Sequence, residues 1–259
     1  MLDLDGTLLN NASQITADSK RYLKQLKDKH HIVLITGRPY RGCVDFYNEL
    51  ELTSPLICDN GATIIGNGHF SNIYHSIPKA VMDALYEFSK AHIVTAFFSV
   101  DDKLYAIKPQ QRLSFYFHLN ETTKIIEKPY TDVDDEAPLL MIVIKKPFHK
   151  RFEAFVNNTG ILTFRSWGED KKNAIYEVYL KDVHKGNAMR EVMTLLNVAK
   201  EDVIAFGDGN NDVELIKYAH IGVAMKNAAS SVIKVADIIT EFNNNDDGVI
   251  KQLKRIIKD

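Results

Sequence analysis

The chain has 259 residues, of which 45% are hydrophobic and 25% are charged, and its formal net charge is -2 at pH 7. These proportions are close to those of soluble globular proteins and exclude a largely disordered chain. A net charge near zero gives no electrostatic reason to bind nucleic acid or an anionic membrane, so neither partner is predicted.

The sequence also indicates where the protein works. No apolar run is long enough to span a bilayer, and Asp3 and Asp5 stand where a secretory leader would need other residues. The two cysteines, Cys43 and Cys58, are too few for a disulfide scaffold or a zinc site, and we expect them to be small buried hydrophobes. A cytoplasmic protein, monomeric or weakly dimeric, is therefore predicted.

The first part of the chain alternates short apolar runs with helical patterns. Thr16 is a candidate N-cap for a helix that places Leu23 and Leu26 on one face. A short apolar run that ends in glycine is typical of a buried parallel strand leading into a loop. The predicted strands are residues 1–4, 31–36, 56–58 and 62–65, with a helix at 41–50 and a hairpin turn at Asn60-Gly61.

The middle of the chain has an α+β pattern with aromatic residues in its strands, and it is predicted to be a second domain. No secondary structure is predicted for the polar stretch 120–137. The predicted helices are 78–91 and 150–157, and the predicted strands are 94–100, 104–108, 139–145, 161–165 and 174–180.

The alternating pattern returns after Lys185. Helices are predicted at 187–196, at 212–218 and after Gly248, with strands at 203–206 and 221–224. Alternation at both ends of the chain predicts an α/β fold with a doubly wound parallel sheet, into which the middle is inserted. The predicted domains are a Rossmann-like core at 1–76 and 182–259 and an α+β domain at 77–181.

Polar residues occur at four places that this topology can bring together. Three groups follow core strands, and one opens a helix. Ligands bind at the carboxyl ends of the strands in such a sheet, so we expect the four groups to meet at one edge. They are Asp3 with Asp5, Thr36 with Gly37, Lys185 with Gly186, and Asp208 with Asn211 and Asp212.

The residue types in these groups indicate a metal and a phosphate. Four crowded carboxylates repel one another and need a cation to remain ionised. Oxygen ligands without His or Cys select a hard ion, and Mg²⁺ is predicted. An ammonium, a hydroxyl and loop amides suit a phosphate dianion, which leaves one carboxylate free to act as a nucleophile.

The same residues resemble the four motifs of the haloacid dehalogenase superfamily. Residues 3–8 (DLDGTL) are similar to its first motif, Thr36 to the second, Lys185 to the third and residues 207–212 (GDGNND) to the fourth. The long α/β insertion before Lys185 resembles the type IIB, or Cof-type, branch. Three further segments that resemble this branch are residues 59–62 (DNGA), 222–228 (GVAMKNA) and 247–249 (DGV).

The resemblance implies roles for the acidic residues. Asp3 would be the nucleophile and a metal ligand. Asp5 would protonate the leaving group and then activate water, and its backbone carbonyl would also bind the metal. Asp208 would be the main second metal carboxylate. Asp212 would support the metal shell, directly or through water. The implied cofactor is Mg²⁺.

The resemblance also implies which residues bind the substrate, a small phosphorylated molecule. Arg38 and Asn60 would make further contacts with that substrate. Members of the family usually carry several apolar residues before the first motif, whereas two precede Asp3 here, so either the natural chain begins earlier or the central strand is truncated. The residues implied in phosphoryl binding are Thr36, Gly37, Lys185 and Asn211.

Each motif alone has an ordinary structural explanation, since Asp-x-Asp-Gly can be a turn and Gly-Asp-Gly-Asn-Asn-Asp can cap a helix. Their joint order and spacing favour a magnesium-dependent phosphatase that hydrolyses a sugar phosphate or a phosphorylated cofactor through an aspartyl-phosphate. Two alternatives remain open at this point. One is a phosphotransferase or phosphomutase, and the other is a non-enzymatic module that binds phosphorylated ligands.

Overall fold

A computed structural model describes residues 1–100, 103–108 and 125–257 of the chain. Contacts between residues divide the protein into two compact units. The first comprises Met1–Arg38, Cys43–Ile73 and His184–Asp259, and the second comprises Pro39–Gly42 and Tyr74–Val183.

The described residues form eight α-helices and twelve strands. The helices are α1 (Ala17–Leu26), α2 (Val44–Glu49), α3 (Lys79–Ser89), α4 (His149–Asn158), α5 (Lys185–Leu196), α6 (Val213–Tyr218), α7 (Ser230–Ile233) and α8 (Gly248–Ile256). The strands are β1 (Leu56–Cys58), β2 (Thr63–Ile65), β3 (Ile73–Tyr74), β4 (Ile93–Val100), β5 (Lys103–Ile107), β6 (Ile125–Glu127), β7 (Leu139–Lys145), β8 (Leu162–Glu169), β9 (Asn173–Leu180), β10 (Ile204–Gly207), β11 (Ile221–Ala224) and β12 (Ile238–Ile239).

The first unit contains a parallel arrangement of strands. β10, β11 and β12 pair in parallel, in that order. Leu2 forms parallel bridges with Phe206 of β10 on one side and with Leu34 on the other, and Ile35 in turn bridges Ile57 of β1. β2 pairs with β1 in the antiparallel direction. The predicted α/β fold with a parallel sheet is confirmed.

Asp3 stands at the carboxyl end of this arrangement because of the backbone pairing around it. The amide of Leu2 donates to the carbonyl of Val33 at 2.8 Å, and the amide of Asp3 donates to the carbonyl of Phe206 at 3.1 Å. Residues Leu4–Leu8 then form a turn in which Gly6 has a φ of 72°. The nucleophile candidate therefore lies where the chain leaves the sheet, between the ends of two neighbouring strands.

Side chains fix the starts of two helices in this unit. The hydroxyl oxygen of Thr16 accepts from the amide of Ser19 at 3.1 Å, which confirms the predicted N-cap of α1. The Nδ1 atom of His184 accepts from the amide of Asn187 at 3.2 Å and caps α5. Histidine is not among the residues that usually cap helices.

The second unit is a six-stranded sheet in the order β6-β5-β4-β7-β9-β8. One face carries a large aromatic and aliphatic core that includes Phe98 of β4, Phe152 of α4 and Tyr176 of β9. Side chains of α3, including Met82 and Leu85, belong to the same core. This architecture is the predicted α+β pattern.

The structure adds elements that periodicity does not reveal. β3, β12 and α7 have two to four residues each, which is too short for a repeat to appear in the sequence. β6 lies in the stretch left without a prediction and pairs in parallel with β5. Part of that stretch, residues 120–124, and the acidic pair Asp101-Asp102 lie outside the described residues.

One further expectation concerns the cysteines. Cys43 and Cys58 are buried thiols that form no disulfide, as predicted, with their Sγ atoms 3.4 Å apart. Trp167 is exposed on β8. Within the described ranges, no helix combines the length and the apolar character that a membrane crossing requires.

Candidate active site

Lys185 is the buried centre of the site. Its side chain is 0% exposed, and its Nζ atom donates to the Oδ1 atoms of Asp3 at 2.5 Å and Asp212 at 2.6 Å. Burial opposes the charge on the ammonium, but the two carboxylates outweigh burial and raise the pKa of Lys185. Lys185 therefore remains a cation. Through Asp3 and Asp212 it links the N-terminal segment of the first unit to the loop Gly207–Asp212 of the same unit.

Asp212 organises the loop that precedes it. Its Oδ2 atom accepts from the amides of Asp208 and Gly209, both at 2.9 Å, while its Oδ1 atom accepts from Lys185. A β-carbon on Gly207 would lie 2.5 Å from the β-carbon of Asp212, so the loop needs glycine at that position. Both carboxylate oxygens of Asp212 thus accept hydrogen bonds from groups within the protein.

Asp208 faces the turn that follows Asp3. The hydroxyl of Thr7 donates to its Oδ1 atom at 3.0 Å. Each of Asp3, Asp208 and Asp212 offers one carboxylate oxygen, and these three atoms lie within 4.8 Å of one another. This cluster is the part of the site whose chemistry suits a hard cation.

The protein holds these carboxyl groups in an environment that disfavours their charge. Burial, followed by the charge of Asp212, raises the pKa of Asp3 above its usual range, although Lys185 opposes the shift. Burial also raises the pKa of Asp208 to about 6, while the hydrogen bond from Thr7 acts in the opposite direction. One ammonium does not neutralise three carboxylates, and the remaining negative charge attracts a cation.

Thr36 lies beside this cluster at the end of the neighbouring strand. It is fully buried, and its amide donates to the carbonyl of Ile57 at 2.9 Å. Its hydroxyl oxygen accepts from the amide of Arg38 at 3.1 Å. Gly37, between them, packs directly under the side-chain amide of Asn60.

Asn60 and Asn211 contact each other. The Nδ2 atom of Asn211 donates to the Oδ1 atom of Asn60 at 2.8 Å, and Asn60 is buried. The sequence predicted both as substrate contacts, at positions 151 residues apart. Their pairing joins the loop after β1 to the loop after β10.

Arg38 and Asp5 form a two-pronged ion pair. The Nε atom of Arg38 donates to one carboxylate oxygen of Asp5 at 2.7 Å, and Nη2 donates to the other. The Asp5 side chain is 54% exposed, whereas that of Arg38 is 12% exposed and lies 5.3 Å from the ring centroid of Phe46. The predicted acid/base residue is therefore held by a residue that was predicted to contact substrate.

Three supporting residues received no role from the sequence. Thr7 binds Asp208, and Asn227 donates from Nδ2 to the carbonyl of Gly6 at 2.7 Å. His184 caps the helix that begins with Lys185. Thr7 and Asn227 lie inside segments that resemble the family, which is the signal that could have drawn attention to them.

A family of known proteins matches almost the whole chain. The family model for haloacid dehalogenase-like hydrolases matches residues 1–253. The chain belongs to this family. The resemblance stated from the motifs is thereby confirmed, and the match extends through both compact units.

Similar proteins span nearly the whole chain. A 5-amino-6-(5-phospho-D-ribitylamino)uracil phosphatase of Bacillus subtilis is 28% identical over 98% of this chain and 95% of its own. A Thermotoga maritima crystal structure has a TM-score of 0.86 and 25% identity, covering 99% of this chain and 96% of that one. A subclass IIB sugar phosphatase shares the fold, with a TM-score of 0.74 and 22% identity over 98% and 96% of the two chains.

Gly6 tests how tightly the turn fits against Asp208. A β-carbon at Gly6 would lie 2.2 Å from the Oδ2 atom of Asp208, at a φ of 72°. We expect Gly6→Ala to lower the free energy of unfolding by about 1–3 kcal/mol and to displace Asp208. Urea unfolding measures the first effect, and loss of divalent-ion binding by calorimetry measures the second.

Gly68→Ala is the matched control, because Gly68 has a φ of 78° and a β-carbon there would meet no atom within 4 Å. This variant carries the backbone strain without the clash, and we expect it to lose about 1 kcal/mol and to keep ion binding. Equal effects of the two substitutions on ion binding would contradict the close fit at Gly6.

Proposed function

We propose that this protein is a magnesium-dependent phosphatase that hydrolyses a small phosphomonoester through an aspartyl-phosphate on Asp3. The observation that carries the proposal is the arrangement of the buried Asp3 and Lys185 with the half-buried Asp208. It combines a carboxylate nucleophile, a fixed cation and a second carboxylate that can share a metal with the first. The phosphatases among the protein's relatives support the same reaction class.

The donor set fits Mg²⁺. The candidate side-chain ligands are all carboxylate oxygens, and the backbone carbonyl of Asp5 would add a further oxygen. Burial, and then the neighbouring carboxylates, raise the pKa values of Asp3 and Asp208, and a bound cation would favour their ionised forms. Asp3 and Asp208 would hold the ion, and Asp212, whose oxygens already accept from Lys185 and two amides, would support it through water. When bound, Mg²⁺ supplies charge neutralisation for the transferring phosphoryl group.

The phosphoryl group would lie against groups from three loops. Asn211 would donate from its carboxamide, and Thr36 and Gly37 would contribute the hydroxyl and the backbone amide at the end of their strand. Lys185 would balance charge from behind Asp3. Donors fixed by the fold before substrate arrives stabilise developing charge without reorganisation.

The reaction takes place in two displacements. A carboxylate oxygen of Asp3 attacks phosphorus, the bond from phosphorus to the leaving oxygen breaks, and protonated Asp5 gives its proton to that oxygen. Ionised Asp5 then takes a proton from water as the water oxygen attacks phosphorus. The bond between Asp3 and phosphorus breaks, which releases phosphate and restores both carboxyl groups.

Asp5 must leave its present contact to perform this chemistry. Both of its oxygens accept hydrogen bonds from the guanidinium of Arg38, and a carboxylate held in this way has no proton to give. We infer that the ion pair opens when substrate binds and that Arg38 then faces the substrate. The Asp5 side chain is 54% exposed, so water can replace the guanidinium at its oxygens when the pair opens, and the substrate takes the place of Asp5 at Arg38.

The division of labour within the chain is part of the proposal. The first unit would be the catalytic core, because every candidate site residue belongs to it. The second unit would be the cap domain of a type IIB phosphatase and would select the leaving group. The named activity of the Bacillus subtilis relative favours a substrate that carries a ribityl or similar polyol phosphate.

A panel of phosphomonoesters tests the function directly. We expect Mg²⁺-dependent release of orthophosphate, with kcat/KM highest for sugar phosphates or phosphorylated cofactors. Asp3→Asn removes the nucleophile and should lower kcat by about a thousandfold or more. Retained turnover in Asp3→Asn would refute the mechanism, and an isomeric phosphate product would replace hydrolysis with a mutase reaction.

Binding of Mg²⁺ should depend on pH. The pKa of Asp208 in the folded protein is raised to about 6. Ionising Asp208 therefore destabilises the metal-free fold as the pH rises through this value. An added ion removes that penalty, so millimolar MgCl₂ should raise the Tm more at about pH 7.5 than at about pH 5.

Thermal unfolding with and without MgCl₂ at the two pH values measures this difference. Asp208→Asn, which cannot ionise, serves as the comparison and should show a small shift at both. A shift in the wild type that is equal at the two pH values would contradict the assignment of Asp208 as a ligand.

A separate test concerns the role of Arg38 after the ion pair has opened. Arg38→Ala should lower kcat/KM by roughly 10- to 100-fold, because the substrate loses the guanidinium that would bind it. Arg38→Lys keeps the charge without the two-pronged geometry and should recover only part of the activity. Steady-state kinetics on the best substrate of the panel measure both variants.

Arg21→Ala is the control for this test, since Arg21 also pairs with an aspartate, Asp18, on the exposed surface of α1. It should leave kcat/KM unchanged. Wild-type kinetics in Arg38→Ala would show that Arg38 takes no part in binding the substrate.

A further inference from the structure

The turn Asp59–Gly61 has an unusual backbone. Three consecutive residues, Asp59, Asn60 and Gly61, have positive φ values of 51°, 57° and 106°. Non-glycine residues seldom adopt this conformation, and such strain persists where surrounding contacts impose it. Asparagine is among the residues that tolerate it best, so Asn60 suits the backbone of the turn.

The contacts that hold this turn come from the segments that line the site. The amide of Asn60 donates to the carbonyl of Thr36 at 3.0 Å. Gly61 packs so closely against the first turn of α5 that a β-carbon there would lie 2.9 Å from the β-carbon of Ala188. The turn therefore contacts the end of the Thr36 strand and the helix that begins with Lys185.

The side chain of Asn60 makes a third contact, with the loop after β10. Its Oδ1 atom accepts from the Nδ2 atom of Asn211 at 2.8 Å. Its carboxamide lies on Gly37, where a β-carbon would be 3.1 Å from Oδ1 and 3.2 Å from Nδ2. Asn60 is thus confined by Gly37 below it and by its own backbone, and its oxygen has a fixed direction.

We propose that Asn60 is a positioning residue that orients the carboxamide of Asn211 toward the phosphoryl group. This rests on the proposed function, in which Asn211 donates to phosphate. The Nδ2 atom of Asn211 carries two hydrogens, and the bond to Asn60 uses one of them. Because the amide is planar, fixing one N–H fixes the direction of the other.

The atom of Asn60 that makes this bond is an acceptor. Its Oδ1 atom is occupied by Asn211 and would repel a phosphate oxygen unless a proton lay between them. Through this bond Asn60 aligns a donor on Asn211. A donor aligned in advance stabilises the transition state more than one that must rotate into place.

Asn60→Gly is the informative substitution, because glycine accepts the positive φ and removes the carboxamide. We expect the variant to fold with a Tm near that of the wild type, and kcat/KM to fall by roughly 10- to 100-fold. In an Asn211→Ala background the same substitution should have little further effect, since Asn60 acts through Asn211. Multiplicative losses in the double variant would overturn the proposal and make Asn60 an independent contact.

Asn60→Asp provides a second variant that keeps both the backbone preference and the acceptor oxygen. It should retain a kcat near that of the wild type, while the added negative charge raises KM for an anionic substrate. A kcat as low as that of Asn60→Gly would contradict the positioning role.

Asn197→Gly is the matched control. Asn197 ends α5 with a φ of 52°, so the substitution repeats the same backbone change at a residue outside the site. It should leave kcat and KM unchanged. Loss of activity in this variant equal to that in Asn60→Gly would show that the effect comes from the backbone and not from the side chain.

Calorimetric binding of orthophosphate in the presence of MgCl₂ separates this proposal from the proposed function. Asn60→Gly should weaken orthophosphate binding in the wild-type background and leave it unchanged in Asn211→Ala. That pattern would support the coupling between Asn60 and Asn211 even if the wild type hydrolysed no ester in the panel. Absence of hydrolysis would refute only the proposed phosphatase activity. Unaltered orthophosphate binding in Asn60→Gly would overturn the coupling whatever the turnover.

Discussion

The site depends on one buried cation placed between two buried carboxylates. Lys185 has no solvent to stabilise its charge, so its ammonium requires Asp3 and Asp212 within hydrogen-bond distance. Removing one partner from such a buried group is expected to cost about 3–5 kcal/mol, because the remaining charge is left uncompensated. The fold is therefore obliged to bring three distant parts of the sequence together, and the nucleophile candidate is one of them.

This constraint explains why the surrounding loops have little freedom. Asp212 can hold Lys185 with one oxygen only while its other oxygen accepts from the amides of Asp208 and Gly209. That arrangement places the side chain of Asp208 against Gly6, in space that a β-carbon on residue 6 would otherwise need. The turn after Asp3 and the loop after β10 are then adjusted to each other, and a cation placed between them meets preset ligands.

The sequence predicts the parts of this arrangement that local chemistry specifies. Long amphipathic helices and buried strands such as α1 and β7 follow from periodicity, and Asp3, Lys185 and Asp208 follow from motif order. Short elements such as β12 could not be predicted, because two residues carry no period. The pairing of Arg38 with Asp5 could not be predicted either, since a motif does not specify which of its side chains will contact a residue 33 positions away.

The difference between the features that could be predicted from the sequence and those that could not has a physical cause. A motif specifies residues that a reaction requires, whereas the orientation of those residues depends on hydrogen bonds between loops that are distant in sequence. Asn60 and Asn211 are each recognisable as polar residues after a strand, yet their contact exists because the positive φ of Asn60 and the absence of a side chain at Gly37 turn one amide toward the other. Lys185 determines that the site forms, and hydrogen bonds between loops, such as that of Asn211 with Asn60, determine how accurately the side chains of the site are aligned.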